Sequence, residues 1–237
     1  MYPPPPAHGY PPPPPPPLRP VRGLAVFAAV MLVCDSLVGV IAAVIDLWYA
    51  DLIDRIMADV DSVPESEINA GDLVYGLSGI LETGVYVGAI VAFLIWLFRV
   101  RANAEILAPH GHRRATPWLI FGWVVPIIWF WVPKQIVDDI WDASRRAPSP
   151  SRGLFNAWWA AWVVANLASN VGARLLFRAD EPEQVAAAAR FDVVCIGLTL
   201  VAAVLAILVV QRITGAQEEH RSAAVVAPGF PGAYPVY

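Results

Sequence analysis

Charge is scarce in this chain and lysine scarcer still: Asp, Glu, Lys and Arg make up 15% of 237 residues, and Lys134 stands alone beside fifteen arginines. With a net charge of -4, the chain lacks the basic footprint of a nucleic-acid-binding protein, and no nucleic-acid partner is expected. Cysteine is nearly absent. Cys34 and Cys195 lie in separate apolar runs, so neither a disulfide framework nor a metal site follows, and both read as small buried hydrophobes. There is no Gly-rich phosphate loop, no zinc-type His/Cys spacing and no nucleophile elbow. His110 and His112, flanking Gly111 beside Arg113 and Arg114, read as facing headgroups or solvent. These absences leave no expected cofactor or metal and point away from an enzyme.

What the chain has is apolar surface. A hydrophobic content of 57%, ten tryptophans and a mean hydropathy of +0.55 describe a polytopic membrane protein, with the lipid bilayer as its first partner. Four stretches exceed or approach the roughly 20 helical residues needed to span a hydrocarbon core of about 30 Å: residues 24–47, 73–98, 154–177 and 193–210. A fifth, residues 118–132, would reach only about 22 Å as a straight helix. It carries Pro126 at its middle and Pro133 just past its end.

Basic residues decide how that fifth stretch is used. Counted as a crossing, with the N-terminus inside, it leaves nine Lys and Arg inside and seven outside, almost no bias. Counted as a re-entrant or in-plane segment, it leaves twelve inside and only Arg55, Arg174, Arg178 and Arg190 outside. Orientation follows the excess of Lys and Arg in short cytoplasmic loops. The expectation is therefore a multi-pass plasma-membrane protein with four crossings and both termini cytoplasmic. The length of the first apolar run and its poor cleavage context argue for a retained helix over a removable signal peptide.

Pro3 to Pro6 and Pro11 to Pro17 make residues 1–21 an extended, Pro-rich cytoplasmic tail expected to be disordered. It is a spacer, or a ligand for an aromatic groove on a protein partner. Residues 216–237, with Pro228, Pro231 and Pro235, are expected to be a second disordered tail. The acidic segment after the first span contains Asp51, Asp54, Asp59, Asp61, Glu65, Glu67 and Asp72. Its carboxylates are scattered without an ordered ligand set, so it reads as a solvated face.

The central block carries the most specific pattern. Arg99, Arg101 and Asn103 leave the second span; Trp118, Trp123, Pro126, Trp129 and Pro133 follow; then come Gln135, Asp139 and Trp141, and Trp158, Trp159 and Trp162 open the third span. In this order the block resembles the actinobacterial membrane family catalogued as domain of unknown function 4328, over roughly residues 75–215. The residues that carry the likeness are Arg101, Asn103, Trp123, Pro126, Pro133, Trp141, Trp158 and Trp159. The resemblance implies membrane location and helical architecture, and no activity.

Within the block, Ile136, Val137, Ile140 and Trp141 form an apolar stripe while Lys134, Asp138, Asp142 and Arg145 point away, which predicts an in-plane helix over 134–146. Asp138, Asp139 and Asp142 spell an exposed D-D-x-x-D that resembles the magnesium-diphosphate motif of prenyl-transferring enzymes. Such sites need a second carboxylate motif, and none is present.

Ionisable residues inside spans call for a functional hypothesis, since each costs about 2.5–3.5 kcal/mol at mid-bilayer. Asp35 lies near the centre of the first span, Glu82 a third of the way into the second, and Asn166 and Asn170 share a face of the third. Asp46 shares the face of Asp35 three turns on. Asp35 and Glu82 are either a proton or cation relay or interhelical hydrogen-bond partners of Asn166, Asn170 or Arg174, packed with Gly76, Gly79, Gly84 and Gly88.

The sequence thus describes an all-α, polytopic transmembrane helix bundle over residues 22–215, with a Pro-broken segment between the second and third spans. Its expected role is a non-enzymatic membrane interaction or scaffold protein of open oligomeric state. The alternative is a small proton- or cation-coupled transporter using intramembrane carboxylates. A lipid-processing enzyme built on Asp138, Asp139 and Asp142 ranks third.

Overall fold

In an apolar medium each backbone N–H and C=O must find its partner within its own segment, so proline-free apolar runs fold as helices. A computed structural model describes residues 16–146 and 152–226, and among them there is no strand. Helices α1 (Arg22–Ala58), α2 (Glu65–Leu107), α5 (Gly153–Phe177) and α6 (Pro182–Val226) are each long and apolar enough to cross a membrane. Between α2 and α5 lie two shorter helices, α3 (Trp118–Val124) and α4 (Val132–Ser144). The all-α class read from the sequence is the class observed.

The four long helices form an arc. α1 lies along both α2 and α6, and α5 lies along α6, so the order around the bundle is α2, α1, α6, α5. The arc is not closed along its length: α2 and α5 approach at Phe93 and Trp158, whose ring centroids are 6.4 Å apart. Outward faces stay apolar and uncovered, as at Leu37, Val44, Leu73, Ile80 and Val204. Lipid is the surrounding such faces require.

The two ends differ in charge. At one end Arg190 pairs with Asp54, Arg55 with Asp51 and Glu67, and Tyr49 stacks on Tyr75 while donating to Asp72 at 2.8 Å. This is the acidic end. The other, basic end holds the start of α1, the end of α2, the start of α5 and the end of α6, drawn together over a core of Trp96, Val100, Ile136, Ile140, Trp158 and Ile213.

The broken segment begins and finishes at the basic end. Arg113 and Arg114, just before α3, bond Asp139 and Gln135 of α4, so its entry and exit lie side by side. α3 meets the following run at an angle of 108°. The bend falls where Pro126 bars a helical conformation at Val125, which is extended, and where Ile127 takes a positive φ of 69°. A Cβ on Gly122 would lie 2.8 Å from Val132 Cγ1, so glycine there lets the returning chain pack on α3.

Two boundaries shift. The expected tail over 1–21 ends in residues that are anchored: the backbone of Arg19 exchanges hydrogen bonds with Asn103, and Val21 is buried. The expected tail over 216–237 begins as helix, since α6 runs to Val226. The reason is long-range packing, for Gln217 is buried and bonded to Val100, Asn103 and Ser144. The proline runs from Pro3 to Pro6 and from Pro11 to Pro15, and residues 227–237, lie outside the described residues.

Candidate functional site

Where α2 and α5 diverge, the arc encloses two adjoining cavities, of about 480 and 310 Å³, which share Asp35, Tyr86, Trp162, Asn166 and Thr199 as lining. Each helix of the arc contributes. α1 gives Asp35 and Ser36, α2 gives Glu82, Thr83 and Tyr86, α5 gives Asn166 and Ser169, and α6 gives Asp192 and Thr199. The sequence expectation joined Asp35, Glu82, Asn166 and Asn170, and these four line the cleft between them.

The carboxylates are spread in depth. At 1.5 Å per residue, Asp35 stands about 20 Å along α1 from Arg22, Glu82 about 25 Å along α2 from Arg99, and Asp192 about 30 Å along α6 from Arg212. They form a file from mid-bundle toward the acidic end, where Asp46 follows on α1 with its Oδ2 buried and unpaired. Glu82 lies within charge-interaction range of both Asp35 and Asp192. Among the described residues no three His, Cys, Asp or Glu converge closely enough to hold a metal ion.

The file lacks protein partners. Among the described residues, Asp35, Glu82 and Asp192 make no hydrogen bond and no ion pair, in contrast to the interhelical bonding that was one expectation for Asp35 and Glu82. The amides of Asn166 and Asn170 donate within their own helix, to the carbonyls of Trp162 and Asn166, both at 2.8 Å. The glycine expectation is corrected too. A Cβ would meet open space at Gly76, Gly79 and Gly84, and only Gly88 is tightly opposed, by Met31.

Toward the basic end the cleft becomes aromatic. Trp162 meets Trp123 and Trp129 edge-on at 5.3 and 5.4 Å and stacks on Trp159 at 4.8 Å. Trp159 Nε1 donates to the Phe130 carbonyl at 3.0 Å, which fixes the hairpin to α5. Pro126 lines the same cavity. The site is therefore polar and acidic at one end and closed by tryptophans at the other.

The remaining motif residues build the basic end. Asn103 Nδ2 donates to the Arg19 carbonyl at 2.8 Å and to Gln217 Oε1 at 3.1 Å, while its Oδ1 accepts from Arg19 N at 3.0 Å. Gln217 in turn donates to the Val100 carbonyl and to Ser144 Oγ, both at 2.9 Å. Arg101, 4% exposed, holds Glu105 at 2.9 Å and the Arg114 carbonyl at 2.7 Å. Pro133 sits in the first turn of α4, where its missing N–H costs nothing. Trp141 packs on Phe155 and lies under the Arg212 guanidinium at 5.5 Å.

The D-D-x-x-D expectation is corrected here. Asp138 and Asp139 are buried, not exposed, because each carboxylate has a basic partner. Lys134 Nζ lies 2.6 Å from Asp138, Arg113 bonds Asp139, and Arg152 bonds Asp142 at 2.6 Å. Asp139 holds the Arg113 charge and raises its pKa. His112 is pushed down by burial and by the Arg101 charge. Glu218 is pushed up by burial but held lower overall by the Val21 N–H and by Arg221.

Asp192 and Gln217 were not among the residues that the sequence singled out. Asp192 falls one residue before the apolar run that marks the fourth span, and Gln217 falls beyond its end. Cys34, expected to be buried, is exposed on the outer face of α1, while Cys195 is buried.

The model of a family described as Domain of unknown function (DUF4328) matches residues 59–215, more than half of the 237-residue chain. No curated protein and no solved structure matches.

Proposed function

The chain belongs to the DUF4328 family, and on that premise we propose that it is a multi-pass plasma-membrane protein that couples proton or cation movement to its intramembrane cleft. The observation that carries this reading is the file of Asp35, Glu82 and Asp192: three carboxylates from three helices line one cavity with no basic residue among its described walls. An intramembrane carboxylate is costly unless a proton or cation neutralises it, and a residue of this kind that packing does not use marks an ion pathway. The scaffold reading rests on the two tails and the central block between α2 and α5, and the unpartnered carboxylates of the cleft favour the transport reading over it.

In this reading the basic end is cytoplasmic, following the Lys and Arg excess. A cysteine at His110 then stays unlabelled by an impermeant maleimide in intact cells while one at Asp61 is labelled. The opposite pattern reverses the orientation. For the activity, purified protein is reconstituted into liposomes loaded with a pH-sensitive dye or a sodium-sensitive dye and a diffusion potential is imposed. Proton or sodium entry above that of protein-free liposomes is the expected result; entry at the protein-free rate overturns the coupling.

A further inference from the structure

A second groove, of about 440 Å³, lies outside the cleft on the outer surface of α2. Its wall is Val91, Leu94, Ile95 and Phe98, one stripe at helical spacing, flanked by Leu24 of α1 and Ile120 of α3. Arg19 and Arg99 line its basic end, and among the described residues no carboxylate lines it. From Val91 to Ala102 the stripe runs about 16 Å, close to the half-thickness of a hydrocarbon core of about 30 Å.

We infer that this groove is a binding site for an anionic phospholipid of the leaflet at the basic end, its phosphate held by Arg19 and Arg99 and an acyl chain lying along α2. The charge and the depth both select that occupant. Val91, Ile95 and Ile120 are exposed apolar side chains, which suits an acyl chain and no aqueous ligand. Arg99 spends one donor, to the Pro20 carbonyl at 3.2 Å. That bond sets its guanidinium beside the strap that carries Arg19. The Arg19 side chain makes no hydrogen bond or ion pair among the described residues, and its backbone is fixed by Asn103. Two arginines with spare planar donors are suited to a phosphate diester.

The test is native mass spectrometry of the full chain in micelles containing phosphatidylglycerol or phosphatidylcholine of the same acyl composition. The expected result is a bound phosphatidylglycerol held about thirtyfold more tightly than phosphatidylcholine, at roughly fivefold per arginine. Arg19→Gln with Arg99→Gln abolishes that preference, and Arg146→Gln with Arg221→Gln, basic residues of the same end away from the groove, leaves it intact. Ile95→Trp fills the groove with both arginines present and weakens both lipids, which keeps the test decisive if the double arginine variant does not fold. Equal affinity for the two lipids in the unaltered protein overturns the inference. So does a preference lost equally in both arginine pairs, since charge anywhere at this end would then suffice.

Discussion

The basic end and the cleft differ in how their polar side chains are partnered, although Arg101 Nη1, Trp141 Nε1 and both ring nitrogens of His112 are buried at the basic end without a hydrogen bond. At the basic end Asn103, Gln217, Ser144, Arg101 and Asp139 are buried, and each finds partners: the Asn103 amide alone joins the N-terminal strap to α2 and α6. In the cleft Asp35, Glu82 and Asp192 line a cavity and bond to nothing among the described residues. A polar group satisfied by its neighbours stabilises the fold, and one left unsatisfied at a cost is kept for something else. Of the family-like motif, Arg101, Asn103, Pro133 and Trp141 therefore fasten the basic end, while Trp123, Pro126 and Trp158 line the cleft.

That contrast predicts opposite responses to substitution. The largest effect is expected for Asn103→Ala, which strands the N–H and carbonyl of Arg19 and the Oε1 of Gln217. It should cost about 3 kcal/mol in denaturant unfolding in micelles, at about 1–3 kcal/mol per stranded buried group. A loss under 1 kcal/mol would mean that water replaces the amide and that the basic end is less closed than it looks. Smaller, and of either sign, is the expected effect of Asp35→Asn with Glu82→Gln: less than about 1 kcal/mol, since neither carboxylate holds a neighbour. A loss as large as that of Asn103→Ala would place the two carboxylates in the packing and erase the contrast.

The smallest effect is on pH dependence. His112 has a folded-state pKa below its ordinary value, so the folded state binds fewer protons there than the unfolded chain does. Its contribution is present above about pH 6.5 and declines as pH falls below that. Glu218, also lowered, acts in the same direction further into acid, losing its hold on the Val21 N–H. Thermal unfolding between pH 7.5 and 5 should show the unaltered protein losing stability faster than His112→Gln. Parallel curves would remove His112 from the account.

Much of this was legible from apolar length and charge sorting alone. The four long helices contain the four expected spans, and the sharp bend that follows residues 118–124 could be argued from Pro126. Side-chain partnership was not legible. Asp138 and Asp139 read as exposed on their helix because Arg113 and Arg152, which cover them, arrive from outside it. Gln217 read as tail because its partners Asn103 and Ser144 are more than seventy residues away. Asp192 was missed because hydropathy places a charge at a span's edge in the loop, whereas the arc turns that edge inward.

The most direct test of the account is the ion flux of Asp35→Asn with Glu82→Gln, reconstituted after its fold has been verified. The account predicts flux reduced to the protein-free rate in a protein as stable as the original. Undiminished flux through the folded double variant would contradict it.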